Sequence, residues 1–235
     1  MPFPPSWRTI SLRRRLRLAC TLVAAVGSAV LISGCSSGDD WSGPHPKPTA
    51  IGTLGPGFTD PAAPPAPEAI VRPRPGSWDA VHPPQGYRVV LLTIGNDPQT
   101  HTLVDAVTSW ATREQVSLKT ITASEPKQFI PRTSNAIALA PDLIICAGND
   151  LVDPLAVVTP HHLDQQFLLI GAELAEPTAN VTAADWAGAS FRGEGLGMSS
   201  TYDPATFTPE RAGRAVRAGV AAVLNGLTGI VIWLD

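Results

Sequence analysis

Beyond Tyr87 the chain alternates between short apolar runs and longer stretches of helical spacing. RVVLLTI, from Arg88, is a continuous β-branched run of the kind that fills a strand buried on both faces. Gly95-Asn96-Asp97-Pro98 breaks it. HTLVDAVTSWATREQ then puts Leu103, Ala106, Val107, Trp110 and Ala111 on one face of a helix. VSLKTITA predicts the next strand, residues 124–138 a helix whose start Pro131 limits, and LIICAG a third strand. LVDPLAVVTPHH reads as a broken helix, QFLLIGAE as a fourth strand and NVTAADW as a short fifth. The last helix is the clearest. Thr208 offers a capping hydroxyl, Pro209 suits the first turn, and Glu210 faces the positive end of the dipole. Ala212, Ala215, Val216, Gly219, Val220, Val223 and Leu224 make its apolar stripe, Asn225-Gly226 ends it, and GIVIWL supplies a final strand. Strands alternating with helices predict an α/β fold: three layers, doubly wound, a mostly parallel sheet with helices on both faces.

Upstream the pattern changes. Residues 36–86 are rich in Pro, Gly, Ala and Ser and carry no helix or strand period. Proline fixes φ and removes backbone donors, which predicts an extended, semi-rigid tether over 35–86 and a folded lobe over 87–235. Trp41 and Trp78 have two open placements, packed on the lobe or exposed. His45 and His82 stand alone and read as solvated loop residues. Residues 1–17 carry Arg8, Arg13, Arg14, Arg15 and Arg17 and no acid. Residues 18–32 are apolar or small, a stretch short of the about 20 residues that a membrane span needs. Basic start and short apolar core read as a secretion signal over 1–34. Ile32-Ser33-Gly34-Cys35 resembles the lipobox of bacterial lipoproteins. That resemblance implies cleavage before Cys35, a thioether-linked diacylglycerol on its thiol, and a place on the extracytoplasmic face of the cell membrane. Two or more acyl chains anchor stably without a span.

Charge and composition narrow the function. The formal net charge is −3, and five arginines leave with the signal, so no basic surface for nucleic acid is expected. Of three cysteines, Cys20 is discarded, Cys35 is the lipid site and Cys146 sits in an apolar run, so no disulfide pair remains. No nucleophile, base or metal constellation stands out, and no catalytic residue, metal or cofactor is expected. His161-His162 diverge by about 100° if helical. His101 and Asp105 share helix spacing and read as an exposed pair. Gly193-Glu194-Gly195-Leu196-Gly197 lacks the strand and spacing of a dinucleotide fingerprint. Arg211, Arg214 and Arg217 lie three apart and read as a solvated helix face.

In an open parallel sheet, ligands bind beyond the carboxyl ends of the strands, where strand order reverses. Three segments end at that edge and supply the candidate ligand residues: Asn96 and Asp97, then Asn149, then Glu173. Asn donates and accepts, and the carboxylates accept from hydroxyls or amines. The same residue types are also the best turn and cap formers.

RVVLLTIGNDPQTHTLVDAVTSWA, PDLIICAGNDLVDPLAVVTPHHLDQQFLLIG and NVTAADWAGASFRGEGLGMSS together resemble the basic membrane protein family of substrate-binding lipoproteins, which includes purine nucleoside receptors of ABC transporters. The resemblance implies a type I periplasmic-binding-protein-like fold, a small polar solute such as a nucleoside, and an ABC permease as partner. It places Asn96 and Asp97 on the turn that holds the nucleobase. It also implies a Gly-containing helix after the NVTAADW strand. Two positions depart: Asn149 stands where the family offers a stacking aromatic, and Gly171 where it offers a ribose-gripping Asp. The chain also has residues for one lobe, where the family closes two around its ligand. A single lobe forms a homodimer, binds weakly, or has left transport for an interaction or structural role in the envelope.

Overall fold

The computed structural model describes residues 40–189, 191–193, 195–197 and 200–235; the secretion signal, Cys35 and Glu194 lie outside them. Seven strands form one sheet: β1 (Ile70–Val71), β2 (Arg88–Ile94), β3 (Ser117–Ala123), β4 (Leu143–Ala147), β5 (Phe167–Ile170), β6 (Val181–Trp186) and β7 (Val231–Leu234). Their order is β1-β7-β6-β5-β4-β2-β3. Every pairing is parallel; Leu91 of β2 stands opposite Thr120 of β3 on one side and Ile145 of β4 on the other. The helices are α1 (Pro98–Arg113), α2 (Phe129–Ala138), α3 (Val152–Val158) and α4 (Pro209–Leu224).

The pleat sorts the apolar runs onto two cores. Val89 and Leu91 pack with Leu103, Val107 and Trp110 of α1 and with Ala215 and Val216 of α4. Val90, Leu92 and Ile94 pack with Ala136 of α2 and with Val152 and Leu155 of α3. Alternate side chains point to opposite faces, so each face needs its own helices, and the unbroken apolar strands follow. The doubly wound α/β arrangement is therefore present, with helices on both faces. Thr208 caps α4 through its hydroxyl, which accepts from the Arg211 N–H. The segment after β4 is broken as expected, into two single turns flanking α3. Burial in apolar surroundings pushes the Cys146 thiol well up from its ordinary range, leaving a packing residue.

The tether expectation is corrected for residues 41–86. Phe58 and Trp78 are 1% and 3% exposed and belong to the α1/α4 core, edge to face at 6.5 Å. Val71 and Ile70 add β1 to the sheet beside β7. Asp79 bridges to Arg217 of α4 at 3.0 Å, and His82 contacts Glu114 at 2.9 Å. His45 likewise bonds Asp142 at 2.7 Å rather than standing in solvent. The segment is a strap. Prolines limit its regular structure to β1 and the Ile51–His82 backbone exchange, and the two large aromatics it buries fasten it to the core.

Candidate functional site

Sheet order decides where a cleft can open. β2 lies between β3 and β4; the chain leaves it through α1 on one face and returns to β4 through α2 on the other. The carboxyl ends of β2 and β4 are thus the switch point, where the two outgoing segments diverge and leave a crevice. The crevice measures about 240 Å³ and is lined by Ile94, Gly95, Asp97, Gln99, Thr100, Leu103, Gly148, Asn149, Asp150, Tyr202 and Phe207.

Asp97 sits at its β2 wall as the N-cap of α1, with extended backbone. One carboxylate oxygen accepts from the Thr100 N–H at 2.9 Å and the other from the Thr100 hydroxyl at 2.7 Å. Partial burial raises its pKa, but the two bonds from Thr100 win and hold the carboxyl below its ordinary value. A depressed folded pKa means stability fully present above the unfolded value and lost as pH falls through the folded one. The Tm is accordingly expected to fall below about pH 4, and Asp97→Asn should remove that part of the acid response. An unchanged acid limb in the variant would show that the cap contributes nothing.

Asn96 is an exposed neighbour that does not line the crevice; its side-chain oxygen accepts from His101 Nε2 at 2.7 Å. His101 therefore pairs backward with Asn96, where the spacing pointed to Asp105. Asn149 reaches the crevice from the β4 side, on the turn opened by Gly148 at φ 117°. Glu173 does not line it. Its carboxylate is 5% exposed and pairs with Arg192 Nε at 3.1 Å, while its N–H donates to the Phe191 carbonyl at 2.9 Å. It anchors the loop that follows β6.

That loop holds what sequence reasoning missed. Where the resemblance implied a helix, residues 187–203 contain none among the described residues. Tyr202 near its end and Phe207, just past the single turn Pro204–Thr206, line the crevice 5.9 Å apart by ring centroids. Burial and the Asp97 charge both push the Tyr202 phenol up, so it stays a neutral donor beside that carboxylate. Phe207 packs edge to face on Trp186 at 5.2 Å. Gly171 makes room for it: a Cβ there would lie 2.9 Å from the Phe207 ring and 3.1 Å from Trp186. Phe207 and Trp186 thus close on Gly171, the position where the resemblance expects a sugar-gripping carboxylate. The only sequence signal was two aromatics in a polar, Gly-rich stretch.

No lysine or arginine lines the crevice among the described residues, whereas Asp97 and Asp150 do. The surface can accept hydrogen bonds from hydroxyls or ammonium groups, donate from amides and a phenol, and offer apolar contact at Ile94, Leu103 and Phe207. No described group of three His, Cys, Asp or Glu could hold a metal ion.

No protein-family model matches the chain, and no curated protein sequence does. Solved structures give partial likenesses. One is an ABC transporter system solute-binding protein from Aeropyrum pernix K1, 20% identical, at a TM-score of 0.39 over 43% of this chain. Another is a periplasmic ribose ABC transporter from Conexibacter woesei DSM 14684, 18% identical, at 0.33 over 64% of this chain. The chain spans 29% of the first and 54% of the second. The class that the topology defines by itself is a doubly wound parallel α/β lobe with a polar crevice at its switch point.

Proposed function

We propose that the chain is a membrane-anchored extracytoplasmic solute-binding lipoprotein, one periplasmic-binding-protein-like lobe with no catalytic step. The observation that carries the reading is the switch-point crevice, lined by the polar groups of Asp97, Gln99, Asn149, Asp150 and Tyr202 together with Phe207. Its lining selects small, neutral, hydroxyl-rich or cationic solutes and works against anions, because a carboxylate ligand would meet two carboxylates and no cation. Nucleosides are the finer reading and rest on the resemblance at Asn96 and Asp97; a sugar or polyol suits the lining equally. An ABC permease is the partner this reading implies.

A second reading has one observation in its favour. The crevice is smaller than the roughly 300–1,000 Å³ of ordinary ligand pockets, which suits a lobe retained for interactions in the envelope. Thermal-shift screening with sugars, nucleosides, amines and carboxylates separates the two. A bound solute at 100 times its Kd should add about 2.7 kcal/mol, and Asp150→Ala should abolish most of that gain with the Tm of the free protein unchanged. No shift from any class would favour the second reading. For the anchor, Cys35→Ala is expected to abolish lipid labelling and release the protein from membranes. Labelling that persists in the variant would overturn the assignment.

A further inference from the structure

The first described residues are fastened to one end of the sheet. Trp41 Nε1 donates to the Ser117 hydroxyl at 2.8 Å. Its ring lies under two cations, Lys119 Nζ at 4.4 Å and the Arg88 guanidinium at 5.8 Å. Arg88 donates to the Trp41 and Gly43 carbonyls. His45 bonds Asp142, whose same oxygen accepts from the Arg88 N–H. Arg88, Ser117 and Asp142 all stand at the amino ends of β2, β3 and β4, the end opposite the crevice.

From this pin we infer that the amino-terminal edge of the sheet is the face apposed to the lipid bilayer, and that the crevice points away from it. The inference rests on the lipid-anchored reading. Trp41 is six residues beyond Cys35, and six residues reach at most about 20 Å. The lobe therefore rides close to the headgroups, with the length of β2, another 20 Å or so, between that edge and the crevice. The pin thereby presents the crevice to solutes or partners arriving from outside. Handing a solute to a permease in the same membrane requires the pin to open. The next fixed point is Ile51, which exchanges backbone bonds with His82, and freeing the chain to there lengthens its reach to about 50 Å.

Energy transfer to a headgroup dye tests this. Full-length lipidated protein is reconstituted in vesicles with a donor on Leu163→Cys, exposed just before β5, or on Ala187→Cys, exposed just after β6. Cys146 is buried and stays unlabelled. Transfer should be strong from position 163 and weak from 187. The difference should be lost in Trp41→Ala/His45→Ala, with the melting transition checked to show an intact lobe. Equal transfer from both positions in lipidated protein, or the reverse order, overturns the inference and leaves the anchor standing. A difference that survives loss of the pin overturns the pin as its cause. Wild-type protein that carries no lipid and leaves the vesicles removes the anchored reading itself, and the inference with it.

Discussion

Trp78→Ala should lower the stability of the lobe by about 3–5 kcal/mol, the largest single effect expected outside the sheet. Trp78 sits in a proline-rich strap, yet it is 3% exposed and belongs to the same core as α1 and α4. Truncation removes its burial and leaves a cavity that the surrounding helices cannot close. Phe58 meets it edge to face, so the double variant Phe58→Ala/Trp78→Ala should cost less than the sum of the two single losses. Urea unfolding measures both. The midpoint should move with an unchanged slope, since the strap unfolds with the lobe. A loss under about 1 kcal/mol for Trp78→Ala would mean that the strap opens independently and the helices support the core without it.

Gly148→Ala is the second large effect, and it joins stability to the crevice. Gly148 follows β4 with φ of +117°, and a Cβ there would lie 2.4 Å from the Ile94 carbonyl oxygen. The neighbour is backbone at the end of β2, which cannot swing aside. Gly148 and Ile94 both line the crevice, so relief of the clash has to pry the two strand ends apart. Loss of more than about 1 kcal/mol is expected, together with loss of any solute-induced thermal shift. Gly86→Ala is the control: it has φ of +77° but open space around its Cβ position. The excess cost of Gly148→Ala over Gly86→Ala combines the clash with the more demanding backbone at φ +117°. Equal costs would show that backbone conformation alone matters and that the strand ends tolerate separation.

What the chain wrote locally was legible before any fold was known. RVVLLTI and LIICA are unbroken apolar runs because both faces of a central parallel strand are covered, and they became β2 and β4. Thr208 and Asp97 announced helix starts because capping needs only a side chain and the next turn of backbone. Asp97 and Asn149 reached one crevice because the end of a strand is fixed in space once neighbouring strands pair. Contacts between distant residues left no such trace. Two isolated aromatics have no period, so nothing local showed that Phe58 and Trp78 would complete a core, or that Ile70 and Val71 would extend the sheet. Glu173 looked like a crevice residue from its place after β5, but a buried carboxylate needs a counter-charge, and Arg192 on the following loop supplies it. Tyr202 and Phe207 line the crevice from beyond a Gly-rich stretch with no period of its own, and Phe207 is seated there by Gly171 and Trp186. Periodicity encodes how a segment meets its nearest layer; the meeting of residues far apart in sequence is decided by packing.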